Sequence, residues 1–248
     1  MRPPASVAAV LLRALLDLAR RSGVAPDRVL HAIGVSPTDL DDAAGWIRVE
    51  ALTRAWVLVP ALCGDPDFGL HAAEAAPTGI YGMLEFVVMS SPTVHDALER
   101  IARMYHLVGG MSELKLVNDG SSVRVIHRTT VAVEPNRLRH YSEHFLAMIV
   151  ARGRVMAAVD VAPSAVSFAH DAPVSIAEHA RIFRAPIFFS QPHNELVVDR
   201  AALEVPLRMP PPRPGDTLQP FGAERPSSGT IPAIPPSRPS SRAARRRQ

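Results

Sequence analysis

The chain has 248 residues, 47% of them apolar, and a formal net charge of +3, which allows one large domain or two modest ones around a sizeable core. Between Met209 and Gln248 seven Arg face only Asp216 and Glu224, a local +5; the whole-chain +3 less this +5 leaves −2 on residues 1–208, which excludes a basic body built for nucleic acid. The single cysteine, Cys63, excludes a disulfide framework and a cysteine metal cluster and fits a reducing cytoplasm.

The opening "SVAAVLLRALLDLARR" reads as an amphipathic helix: Val7, Leu11, Leu15 and Leu18 lie opposite Arg13, Asp17, Arg20 and Arg21. Those charges interrupt the apolar run, so it is neither a signal peptide nor a membrane span. "VAPDRVLHAIGVSPTDLDD" places Pro26 and Pro37 where helices start and Gly34 where one stops. Its outline suggests a helix-turn-helix, yet Asp39, Asp41 and Asp42 would repel phosphate. Helical spacing returns at Val49, Leu52, Trp56 and Val59, and again at Val94, Leu98, Ile101 and Tyr105, where Ser91 is the expected cap and Gly109 and Gly110 end the helix. Between these, "IYGMLEFVVMSS" is an apolar helix or buried segment.

The period then changes. Leu114, Leu116, Val123 and Val125 alternate around Asn118-Asp119-Gly120, which predicts a hairpin. A long helix is expected from about Pro135 to Ala158, then strands at "AVSFAH", "PIFFS" and "ELVVD", with a short helix at "SIAEHARIF". The fold class is therefore α+β: a helical N-terminal half, then a mostly antiparallel sheet packed with a long helix. From Pro210 onward ten of 39 residues are Pro and no apolar period survives; such a segment is expected to be disordered, giving a domain over 1–208 (helical 1–110, α+β 111–208) and a tail over 209–248. The terminal "RAARRRQ" has the composition of a GC-rich reading frame, in keeping with Lys115 as the only lysine.

Candidate chemistry is sparse. His140 and His144 stand four apart on the long helix with Glu143 between them, a spacing used by helical metal sites. They fall roughly 100–140° from the centre of the stripe Leu138, Tyr141, Phe145, Met148 and Ile149, which places them on a flank or in solvent rather than around a metal. His170-Asp171 reads as turn chemistry, because adjacent side chains at a strand end point apart. Ser90-Ser91 has no base partner in sequence. With no nucleophile elbow, phosphate loop or dinucleotide fingerprint, the expectation is no enzyme, no cofactor and no metal. A pocket is expected between the long helix and the sheet, where Tyr105, His106, Arg124 and Tyr141 place polar groups at an apolar boundary.

Three phrases, "HAIGVSPTDLDDAAGWIRVEALTRAWVLVPALCGDPDFGLHAAE", "GMLEFVVMSSPTVHDALERIARMYHLV" and "AVSFAHDAPVSIAEHARIFRAPIFFSQPHNELVVDRAALEVPL", follow in an order that resembles the N-terminal, arabinose-binding-type domain of AraC-family bacterial transcription regulators. The resemblance covers nearly all of residues 6–208. It implies a domain that senses a small-molecule effector, an amino acid or another metabolite, and supports a homodimer, while a C-terminal helix-turn-helix domain reads DNA. Here the family pattern stops after "LEVPL", so DNA binding is expected through a missing domain or an intact partner. A shift of reading frame near Arg208–Pro212 would produce that break. The alternative is a stand-alone small-molecule-binding protein or enzyme with a basic tail.

Overall fold

A computed structural model describes residues 5–42, 44–109, 111–157 and 162–207, the side chains of 83, 84 and 106–108 excepted. All of these lie in the unit Met1–Thr217; the second unit, Leu218–Gln248, and the tail expected from 209 lie outside the described residues.

The chain opens differently from its periodicity. Strand β1 (Ser6–Ala8) precedes helix α1 (Ala9–Arg21), so Val7 is not on the first helix but in an antiparallel pair with Ile47. Two β-branched residues facing each other, with Val49 N–H donating to Ala5 O and Ala9 N–H to Gly45 O, favour extended backbone over one more helical turn. On α1 the apolar face is buried through Leu12, Leu15 and Ala19. Asp17 pairs with Arg20 and Arg21 at 2.7 Å each, and Arg13 donates to Leu40 O and Asp42 O.

Helix α2 (Pro26–Ile33) ends on Gly34 in the left-handed region, φ 73°. Beyond it the chain makes a single 3-10 turn, Pro37–Leu40, capped by Ser36. Four residues cannot form a recognition helix, and the corner is structural. Strand β2 (Trp46–Arg48) leads into α3 (Val49–Cys63), then α4 (Phe68–Ala75), α5 (Met83–Met89) and α6 (Val94–Val108). The cap of α6 is Thr93, whose Oγ1 accepts from Asp96 N–H at 3.1 Å; Ser91 is buried just ahead of it instead.

Strands β3 (Ser112–Asp119) and β4 (Ser122–Thr129) form the expected hairpin, with Gly120 at φ 60° in the turn. After α7 (Arg139–Ala157) come β5 (Ala165–Ser167), α8 (Ala177–Phe183), β6 (Ile187–Phe188), β7 (Asn194–Asp199) and α9 (Arg200–Leu203). The sheet order is β3-β4-β7-β5-β6, antiparallel except for the edge pair β5–β6, so the α+β class holds. Parity on β4 sends Val123, Val125 and His127 inward, where all three are fully buried, and Arg124 to the opposite face.

Helix α7 is the centre of the molecule. One side meets the sheet, with Phe145 stacked on His127 at 4.0 Å between ring centroids; the other meets α3, with Trp56 5.5 Å from the Tyr141 ring and 5.0 Å from His144. Buried on both sides, α7 has no broad polar face to set against a single apolar stripe. That is why the helical angle misplaces His144: it is 3% exposed, not on a solvated flank.

The α4–α7 contact depends on Gly69. A Cβ there would lie on His140 O and 2.8 Å from His140 Cα, and backbone cannot swing aside as a flexible side chain can. Gly69→Ala is therefore expected to cost about 2–3 kcal/mol by overpacking, read as a lower urea midpoint with an unchanged slope. An effect under about 0.5 kcal/mol would show that the two helices separate freely. Among the described residues no helix is long and apolar enough to cross a membrane.

Candidate functional site

The stripe Val94, Leu98, Ile101 and Tyr105, spaced as one face of a helix, does not simply fill a core. It forms one wall of a cavity of about 170 Å³. Opposite stand Tyr141, His144 and Phe145 of α7; Trp56 of α3 and Val88 and Met89 of α5 contribute further apolar wall. The cavity thus lies among helices α3, α5, α6 and α7, not between the long helix and the sheet. On the sheet side Phe145 stacks on His127, and the inward side chains Val123, Val125 and His127 of β4 are fully buried.

Its polar groups come in pairs. Tyr81 OH and His144 Nε2 are 2.6 Å apart. Tyr105 OH is 3.0 Å from Tyr141 OH, which is in turn 2.6 Å from Ser112 Oγ. Arg152 Nε stands 2.8 Å from Glu85 Oε1 as an ion pair, and Glu85 Oε2 accepts from Gly79 N–H at 3.0 Å. Arg152 also donates to Ala76 O and Pro77 O. Burial raises the phenols of Tyr81, Tyr105 and Tyr141 above their ordinary value and lowers His144 to about 4, so at neutral pH these side chains are uncharged.

Of the four residues expected at the pocket, the structure brings Tyr105 and Tyr141 together on its wall. Arg124 is placed elsewhere: it lies on the far face of β4 in a bidentate pair with Glu195, at 2.8 and 2.7 Å. His106 is within α6, but its side chain lies outside the described residues. Sequence reasoning missed Tyr81, His144, Glu85 and Arg152. An i, i+4 signal could have found Tyr81 with Glu85, whose carboxylate also accepts from Tyr81 N–H at 3.4 Å.

A second polar cluster sits on the other flank of α7. Glu143 is fully buried, and its Oε1 accepts from Arg139 Nε at 2.6 Å and from His179 Nε2 at 2.7 Å. His140 Nδ1 lies 3.5 Å from Oε2, and His170 Nε2 lies 3.7 Å from Oε1. Burial pushes the Glu143 carboxyl upward, but His140, His179 and the Arg139 charge outweigh it and hold the group at about 2. Despite three histidines, no group of side chains among the described residues is arranged to hold a metal ion. His170 and Asp171 do point apart: His170 is buried, whereas exposed Asp171 binds Asn136 and Ser190.

The last described residues return to this region. Leu207 N–H donates to Pro92 O, Val94 N–H donates to Val205 O, and the Leu207 side chain lines the cavity.

Residues 23–207 match the family described as the arabinose-binding domain of AraC transcription regulators, N-terminal. The ornithine utilization regulator of Pseudomonas aeruginosa is 26% identical over 200 residues, an alignment covering 79% of this chain and 58% of that protein. Among solved structures, the transcriptional regulator CdpR from Pseudomonas aeruginosa superposes with a TM-score of 0.52 at 16% identity, covering 76% of this chain and 56% of that one; at such identity the likeness is one of fold. The chain spans somewhat more than half the length of each.

Proposed function

This chain belongs to the family of arabinose-binding N-terminal domains of AraC transcription regulators, and on that premise we propose that it senses a small-molecule effector in the cavity among α3, α5, α6 and α7. Tyr105 and Tyr141 are the proposed effector contacts carried over from the sequence, joined by Tyr81 and His144. The single observation that supports this most is the cavity itself, about 170 Å³ walled by the α6 stripe and α7. Well-packed domains rarely keep a void of that size without use.

In this reading the domain, over 1–208, acts in the cytoplasm as a binding protein rather than an enzyme. Its tyrosines and His144 are held neutral and paired, not poised as nucleophile and base. The effector works by population shift. Leu207 lines the cavity and its backbone is tied to the start of α6, so occupancy biases the position of the chain where it leaves the domain. A homodimer would convert that bias into the spacing of DNA-reading elements, which come from outside the described residues.

The test is a thermal-shift screen of amino acids, sugars and aromatic compounds. A true effector at one hundred times its Kd stabilises by about 2.7 kcal/mol, a rise in Tm of roughly 5–10 °C for a domain of this size. Ala97→Leu, which fills the cavity from α6, is expected to abolish the shift while the protein stays folded. A shift of equal size in that variant would place the site elsewhere. Sedimentation at tens of micromolar tests the dimer separately, and a strict monomer there removes it.

A further inference from the structure

The chemistry of the cavity wall also selects the kind of ligand, an inference that rests on the cavity being the effector site. Its ionised pair, Glu85 with Arg152, is mutually neutralised at 2.8 Å, and Arg152 is further engaged by two backbone carbonyls. The tyrosines and His144 carry no charge at neutral pH. A ligand carboxylate or ammonium would therefore enter a low-dielectric space without a free counter-charge, and an unpaired buried charge is strongly disfavoured.

The polar capacity is also small. Tyr105 and Tyr141 are committed to each other and to Ser112. His144 gives Nε2 to Tyr81, and its ring also meets the backbone of Gly69 on α4, which is not part of the cavity wall. A sugar, which carries a hydroxyl on nearly every carbon, would leave most of them unpaired against side chains such as Leu98, Ile101 and Met148. In volume, a cavity of about 150 Å³ lined by aliphatic side chains is enough for benzene, and this one measures about 170 Å³.

We infer that the effector is a neutral, largely apolar molecule of about one ring, and not a zwitterionic amino acid or a sugar.

The experiment compares four probes on the full chain by thermal shift and calorimetry: benzyl alcohol, benzoate, L-ornithine and L-arabinose. Benzyl alcohol and benzoate share the ring and differ in charge. The expected result is saturable binding of benzyl alcohol, at least tenfold weaker binding of benzoate, and no saturable binding of the other two. Ala97→Leu should abolish benzyl alcohol binding while leaving the protein folded. Benzoate binding as tightly as benzyl alcohol, or none of the probes binding, overturns the ligand class. If ornithine or arabinose binds and Ala97→Leu abolishes it, the ligand class fails while the effector cavity stands. If benzyl alcohol binds equally in Ala97→Leu, the cavity assignment and this inference fail together.

Discussion

Replacing Glu143 with Ala is expected to lower stability by about 3–5 kcal/mol, the range for removing one partner of a buried ion pair. The carboxylate is fully buried and accepts from Arg139 at 2.6 Å and from His179 at 2.7 Å. Without it, His179 is left in an enclosed site facing no acceptor, and Arg139 keeps only Asp67 and Pro66 O at the edge of the cluster. At roughly 2–4 °C per kcal/mol for a domain of this size, the thermal midpoint should fall by about 6–20 °C. Glu143→Gln keeps the volume and one acceptor oxygen, so it should fall between the variant and the parent. In the double variant Glu143→Ala, His179→Ala, the loss should be smaller than the sum of the single losses, because the histidine no longer lacks a partner. Strict additivity, or a Glu143→Ala loss below about 1 kcal/mol, would show that the cluster is not the ionic unit its geometry describes. The cluster bears on the cavity because both are built on α7: Glu143 fixes one flank of the helix, and its neighbour His144 reaches into the wall on another.

Acid should destabilise the protein well before its carboxylates titrate. Burial lowers His127 to about 3 and His144 to about 4, against an ordinary value of 6.5. In the native state both rings stay neutral as pH falls, whereas in the unfolded chain both take a proton below about 6.5. The unfolded state then binds more protons, so stability falls as pH falls. Their contribution is intact above 6.5 and is lost as pH drops through 4 for His144 and 3 for His127. At pH 5 each ring accounts for about 2 kcal/mol and the two together for about 4 kcal/mol, at 1.36 kcal/mol per unit. Glu143 adds its own loss only lower, from 4.5 downward toward about 2.

His71 works in the opposite direction. Hydrogen bonding to Asp65, then the Asp65 charge and Glu178, lift it to about 9. Its contribution is complete below 6.5 and fades as pH rises through 9, so the stability maximum should lie near pH 6.5. Urea midpoints at pH 7, 6 and 5 measure the acid slope. His127→Leu should reduce that slope by about one proton, and it removes two buried nitrogens that have no hydrogen-bond partner. An unchanged slope in His127→Leu would mean that the ring is not held neutral.

How far the sequence reached depended on what kind of information each feature needs. The hairpin was legible because Asn118-Asp119-Gly120 carries its own turn chemistry and the flanking residues alternate. The stripe Val94–Leu98–Ile101–Tyr105 was legible as one helical face, although the residues could not show whether that face meets a neighbour or a void. His127 also left a signal, since it shares parity with Val123 and Val125, and the same parity sets Arg124 on the opposite face. Strand β1 was not legible: Val7 is extended because Ile47 lies opposite, far away along the chain.

The sequence by itself therefore determined the α+β class, the chain order of most helices and strands, the corner at Gly34 and the family to which residues 23–207 belong. These follow from local periods, turn residues and the order of phrases along the chain. Tertiary structure decided where the cavity lies and how the side chains on its wall pair. A helix packed on both sides, as α7 is, has no broad polar face to orient a pattern, so only its neighbours reveal that Glu143 meets His179 while His144 meets Tyr81. Those partners are 36 and 63 positions apart, and the cost of burying a charge or an imidazole is set by what lies across the gap, not by what lies next along the chain.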